Sequence, residues 1–214
     1  MPILVKHLGL AEYEATYEAM REFTRQRTSE TPDEIWVLEH PPVFTLGLAG
    51  DANNLHNPSE EIPLVQVDRG GEITYHGPGQ IVIYLLLDLK RLNLFVKELV
   101  SRIEQSIIYT LADFNLEAER KKGAPGIYVS DQESVTPLYK GAKIAALGLK
   151  VSRACSYHGL ALNVDTDLDA FARIHPCGYA GLKTVDMKTL GIEDNIEMIS
   201  KKLVDHLQKQ LITS

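Results

Sequence analysis

Cys177 is the first residue that could do chemistry, because it stands between Pro176 and Gly178 in a turn-like stretch, "ARIHPCGYAGLKTV". A thiol becomes a nucleophile when a histidine, a cation or a helix N-terminus stabilises its thiolate. His175 lies two residues away, but across a proline its ring is poorly placed to face the sulfur. A residue delivered by a neighbouring strand is the better partner. Lys143, in "AKIAALGLK", would supply a desolvated amine as base or an ammonium as counter-ion. The plain alternatives are a small buried hydrophobe for Cys177 and a surface lysine for Lys143.

A second candidate is "RGGEITYHGPGQ", residues 69–80, whose glycines let backbone N–H groups approach a ligand closely. It fits neither G-x-x-x-x-G-K-S/T nor G-x-G-x-x-G, so nucleotide binding gains little from it. The alternative is a pair of tight turns around a short strand. His76 in this stretch, with His158, His175 and Cys177, raises the question of a metal. No close H-x-x-x-H or C-x-x-C pair supports one, and the histidines read as satisfied or exposed.

These residues need elements to hold them. "ILVKHLG" reads as a strand, and Leu10, Tyr13, Tyr17 and Met20 follow at helical spacing. "EIWVLEH" and "VFTLG" read as strands cornered by Pro41 and Pro42. The run after Gln80, "IVIYLLLDL", is apolar on both faces and suits a central strand. Val96, Leu99, Val100, Ile103, Ile107, Leu111 and Phe114 predict a helix over 95–114 that covers one face of a sheet. "PGIYVS", "KGAKIAALGLKVS" and "HGLALNV" follow as strands, the middle one carrying Lys143, Ala145, Leu147, Leu149 and Val151 on one face. Asp165, Thr166 and Asp167 are available to cap a short helix that Pro176 would end. Ile192, Ile196, Ile199, Leu203 and Leu207 form the stripe of a C-terminal helix. The sum is an α/β (α+β) fold, a mixed β-sheet flanked by helices.

With 214 residues and 44% hydrophobic content, the chain is expected to bury one core, as a single domain over 1–214. The N-terminal stretch meets charge within six residues, unlike a signal peptide, and the longest apolar run is too short for a membrane helix. Two cysteines, Cys155 and Cys177, do not make a disulfide scaffold; a cytoplasmic protein with reduced thiols is expected, with Cys155 structural. A net charge of −7 argues against nucleic-acid binding. Arg120, Lys121 and Lys122, and Arg173, Lys183 and Lys188, are local basic groups that read as solvated faces.

Taken together, "LEHPPVFTLG", "RGGEITYHGPGQIVIYLLLDL", "GAKIAALGLKVSRACSYHGLALNV" and "IHPCGYAGL" resemble the octanoyltransferases of lipoate biosynthesis, in order from about residue 36 to residue 187. The resemblance implies the fold of the biotin and lipoate protein ligase catalytic domains. It implies that Cys177 carries the acyl group as a thioester with Lys143 as catalytic partner. It further implies an acyl site lined by Arg69, Gly70, Gly71, Glu72, Ile73, Thr74, Tyr75 and His76, by Ala146, Leu147 and Gly148, and by Gly159, Leu160 and Ala161. The donor would be octanoyl-acyl carrier protein. The acceptors would be lipoyl domains of 2-oxoacid dehydrogenases and the glycine cleavage H protein, served by a monomer without metal or other cofactor.

That chemistry suits the residues. Acyl exchange between thioesters is nearly isoenergetic and transfer to an amine is downhill, so no nucleotide is required. Backbone N–H groups near Gly148 or after Cys177 are both candidates to hold the oxyanion. Three rival readings remain: an ATP-dependent lipoate or biotin ligase on the same fold, a cysteine hydrolase with His158 or His175 as base, and a carrier-protein binding module with an inert thiol.

Overall fold

The computed structural model describes residues 2–56, 61–131, 137–174 and 182–212. Its architecture follows from the strand that is apolar on both sides. Residues Gln80–Leu86 form β6, and every one of them is buried. Its side chains sort by parity, as a pleated strand requires. Ile81, Ile83 and Leu85 join the larger core, whereas Val82, Tyr84 and Leu86 join a second core on the opposite face.

Around β6 the described residues form a seven-stranded mixed sheet. In chain order its other members are β1 (Leu4–Leu10), β2 (Glu34–Glu39), β7 (Ala118–Lys121), β8 (Ala124–Val129), β9 (Lys143–Ser152) and β10 (Cys155–Asn163). The spatial order is β1-β2-β6-β10-β9-β8-β7. β1 and β2 pair in parallel and the remaining pairs are antiparallel. The parallel pair needs a crossover, supplied by helix α1 (Tyr13–Gln26).

α1 covers the face of Val82 and Tyr84, with Met20 fully buried against Trp36 and its neighbours. Leu10, which the helical spacing had included, instead ends β1 and is exposed. Helices α2 (Val96–Ala112) and α4 (Ile196–Ile212) cover the other face. Leu99, Ile103, Ile107 and Leu111 of α2 and Ile199, Leu203 and Leu207 of α4 are all fully buried, whereas of the other residues expected in these stripes Val96 is exposed and Ile192 precedes α4. Ala145, Leu147, Leu149 and Val151 of β9 also pack on this core.

β9 and β10 make a hairpin whose two turn residues, Arg153 and Ala154, have φ of 51° and 62°. Positive φ at both positions matches the strand twist. The Arg153 guanidinium then donates to the carbonyls of Thr24 (2.9 Å) and Arg25 (2.8 Å), satisfying the open end of α1.

On the α1 face lies a second, three-stranded sheet in the order β4-β3-β5, formed by β3 (Val43–Leu46), β4 (Leu64–Gln66) and β5 (Ile73–His76). Phe44, Leu46 and Tyr75 of this sheet pack with Phe171 of the short helix α3 (Leu168–Phe171). The side chain of Asp167 caps α3 by accepting from the Asp169 N–H at 3.0 Å. Among the described residues no helix is long and apolar enough to cross a membrane.

Candidate active site

Between the small sheet and the large one is a cavity of about 440 Å³. That volume falls within the range of small-molecule sites. Its floor is set by register. Gly148 pairs with Gly159 and Ala146 with Ala161 across β9 and β10, so four small residues meet on one patch. Beyond them on β6, Tyr84 stands opposite Gly159 and Val82 opposite Ala161. The glycines permit close backbone approaches. A Cβ added at Gly148 would lie 2.9 Å from the Gly70 carbonyl oxygen, and one at Gly159 would run into the carbonyl of Ile83.

The glycine-rich stretch forms the opposite wall. The Gly70 N–H donates to the Leu149 carbonyl at 2.9 Å, docking the loop on β9. Arg69 is buried, and its Nη2 donates to the Thr45 carbonyl and hydroxyl, both at 2.8 Å. Asp68 accepts from the Tyr157 hydroxyl (2.5 Å) and from His158 Nε2 (3.4 Å). Partial burial acts to raise the Asp68 carboxyl, but hydrogen bonds from His158, Tyr157 and Tyr17 outweigh it and hold it well below the usual carboxylate range. Glu72 also lines the cavity, and its Oε2 is buried without a hydrogen-bond partner among the described residues.

Of the residues expected at the acyl site, Arg69 to Thr74, His76, Ala146 to Gly148 and Gly159 to Ala161 line this cavity, together with Lys143. Tyr75 does not. The alternation of β5 sends its ring away from Thr74 and His76, into contact with Phe44 (5.6 Å) and Phe171 (5.4 Å). Cys177 and His175 lie outside the described residues.

Lys143 opens β9 and is only 7% exposed. Its Nζ donates to the Pro125 carbonyl at 2.9 Å and sits 5.6 Å from the centre of the Tyr128 ring. Its backbone N–H donates to the Lys183 carbonyl and its carbonyl accepts from the Val185 N–H, at 2.8 and 3.0 Å. The segment resuming at Leu182 therefore runs beside the lysine.

Tyr13, His76, Tyr84 and His158 line the cavity as well, Tyr84 lying two strands from β9, about 10 Å away across the sheet. Near them is His40, fully buried between the Ala11 carbonyl (2.6 Å from Nδ1) and the Tyr84 hydroxyl (2.7 Å from Nε2). A carbonyl only accepts, so Nδ1 carries the proton and Nε2 accepts from the tyrosine. Burial lowers His40 to about 4 and His76 to about 3, in the latter case with His40 itself adding repulsion. His76 Nδ1 meets Gln80 Oε1 at 2.7 Å, Gln80 donates to Asn163 at 2.9 Å, and Asn163 donates to the Val185 carbonyl at 3.1 Å. This chain of bonds joins the glycine-rich wall to the segment beside Lys143.

His158, weighed as a hydrolase base, directs Nε2 to Asp68, and its ring stacks on Tyr17 and Tyr157. Its burial is the larger influence on its titration and lowers it. Cys155 sits at the turn end of β10, where burial pushes its thiol up, which suits a structural residue. Of the basic groups, Arg120 pairs at 3.0 Å with the buried Glu104, and Lys188 pairs with Asp165 at 2.7 Å on an exposed face. Asp68, His40 and Tyr84 carry no signal of their roles in the sequence, because their partners lie far away in the chain.

Residues 12–208 match the family model of the lipoyl protein ligase A/B catalytic domain. Over 212 residues the chain is 76% identical to an octanoyltransferase of Polynucleobacter asymbioticus, covering 99% of both sequences. In structure it is similar to a bipartite lipoate protein ligase from Thermoplasma acidophilum, with a TM-score of 0.76 at 14% identity over 99% of this chain and 84% of that one. A biotin protein ligase from Aquifex aeolicus in complex with biotin and ATP gives 0.54 at 10% identity, over 98% and 70%. At such identities the two structures speak for the fold alone. The sequence match and the shared fold agree: the chain belongs to the octanoyltransferases of the lipoyl protein ligase A/B catalytic domain family.

Proposed function

We propose that this octanoyltransferase takes its acyl group from octanoyl-acyl carrier protein, holds it as a thioester on Cys177, and passes it to a lysine ε-amine of a lipoyl domain. The observation that carries this reading is a buried lysine, Lys143, at the wall of a cavity floored by small residues. Chain continuity supports the partner: Cys177 lies six residues before Lys183, whose carbonyl bonds to Lys143, so about 20 Å of extended chain bounds their separation.

In the first half-reaction the Cys177 thiol gives its proton to the Lys143 amine. Its sulfur attacks the octanoyl carbonyl carbon, and the carrier's thiolate leaves, taking the proton back from Lys143. In the second half, the acceptor lysine attacks the Cys177 thioester as a free amine, the amide bond forms, and Lys143 moves the amine's surplus proton toward the departing cysteine thiolate. Atoms balance without a nucleotide. The acyl chain lies over Gly148, Gly159, Ala146 and Ala161, where missing side chains leave its room.

Intact mass after mixing the protein with octanoyl-acyl carrier protein, without ATP, tests the reading. A hydroxylamine-labile gain of one octanoyl group, lost in Cys177→Ser, is expected. No adduct, with activity only on ATP and a free acid, would overturn it in favour of a ligase.

A further inference from the structure

We infer that Pro125, Gly126 and Tyr128 form a clamp that sets where the Lys143 amine stands, and that Gly126 is a positioning residue for acyl transfer. The inference rests on the reading of Lys143 as catalytic and extends it to the adjacent strand.

β8 pairs with β9 through Tyr128↔Lys143 and Ile127↔Ala145, with an irregularity in register between Ile127 and Tyr128. Such bulges re-aim side chains. One residue earlier, Gly126 has φ +124°, a conformation open to glycine and strained for other residues. A Cβ there would lie 2.6 Å from Lys143 Cε and 3.1 Å from its Nζ, as well as 2.6 Å from the Ala145 carbonyl oxygen. The end of the lysine thus occupies the space a side chain at 126 would fill.

Among the described residues, two further contacts hold the amine there. The Pro125 carbonyl accepts from Nζ at 2.9 Å, and the Tyr128 ring lies under it at 5.6 Å. The ring is itself held: Tyr128 is 1% exposed, and Lys121 Nζ lies 5.0 Å from its centre while donating to the Gly141 carbonyl at 3.2 Å. A lysine has a long, flexible stem, so its amine is placed by what surrounds it rather than by its own rotamers. Pro125 lines the cavity beside it, so the clamp is part of the wall.

The test compares steady-state kinetics with the NMR signal of the lysine ε-CH₂ group, in protein labelled with ε-¹³C lysine and assigned by its loss in Lys143→Arg. In the wild type this signal is expected to be displaced from that of an exposed lysine by the Tyr128 ring and the Pro125 carbonyl beside the amine. Gly126→Ala is expected to remove the shift and to lower kcat by about tenfold or more, while KM for octanoyl-acyl carrier protein changes less than about threefold. A folded Gly126→Ala with an unmoved signal or full kcat overturns the clamp. Should that variant not fold, Tyr128→Leu and Tyr128→Phe decide: Leu is expected to lower kcat about tenfold and Phe, which keeps the ring, to restore most of it. Equal rates for the two overturn the clamp. Lys143→Ala with full turnover would instead remove the catalytic reading beneath it, a result distinct from an inactive Lys143→Ala beside an unaffected Gly126→Ala.

Discussion

Gly148 shows how a single missing side chain shapes this site. The backbone of the glycine-rich wall approaches β9 so closely that an alanine at 148 would place its Cβ 2.9 Å from the Gly70 oxygen and 3.2 Å from Arg69 Cδ. Backbone cannot yield as a side chain can, so the wall must move. We expect Gly148→Ala to fold and to lower kcat/KM for the octanoyl donor by about tenfold or more, because the displaced loop narrows the acyl space; unchanged kinetics would mean that Gly70 is not part of that space. The residues themselves differed in how legible they were. Lys143 could be found from strand alternation, and the glycines from their density in residues 69–80. Gly126 could not, since its signal is a φ of +124° and a lysine terminus packed above it. Tyr75, expected at the acyl site with its neighbours in the motif, has its ring against Phe44 and Phe171, a placement that a continuous motif does not reveal.

The glycine-rich segment is an element held from several directions, and Asp68 is its fastening on the α1 side. The carboxylate accepts from Tyr157 and His158 on β10 and interacts with Tyr17 on α1, while the adjoining Arg69 bonds to Thr45 on β3. Asp68→Asn keeps the shape but loses the charge, and we expect it to raise KM for the acyl donor several-fold. It should destabilise the fold by only about 1 kcal/mol, because the side chain is partly open to solvent. Urea unfolding together with substrate titration checks both; a stability loss with KM unchanged would make Asp68 a purely structural tie. Elements whose apolar pattern was long were legible in advance. β6, α2 and α4 stand where periodicity put them, because burial on both faces or on one stripe leaves a strong trace. β7 left none: "AERK" is short, polar and at a sheet edge, and its place comes from pairing with β8 rather than from its own residues. Likewise the register that brings Gly148 to Gly159 is visible only once Arg153 and Ala154 are known to form the turn.

On the α1 side of the large sheet the molecule keeps a set of neutral histidines inward. His40 and His76 are buried near Tyr13 and Tyr84, and their rings lie 5.9 Å apart. Two imidazolium ions could not share that space without water. An unfolded histidine titrates near pH 6.5. In the fold, desolvation lowers His40 to about 4 and, with repulsion from His40, His76 to about 3. A folded value below the unfolded one means that the unfolded chain binds more protons between them. Stability is therefore fully present above about pH 6.5 and is lost as pH falls, levelling only as His40 and then His76 take up their protons. Once the unfolded state is charged, the loss approaches roughly 1.4 kcal/mol per pH unit for each histidine. Asp68, whose carboxyl is also held low, adds to the loss only below the ordinary carboxylate range. Urea midpoints between pH 8 and pH 4.5 should be flat at first and then fall steeply below pH 6.5. His40→Gln should fall less steeply over the same interval, whatever its stability at pH 8. A wild-type midpoint unchanged down to pH 5 would mean that these rings are already charged or solvated in the fold, contrary to the bonds His40 makes to Ala11 and Tyr84.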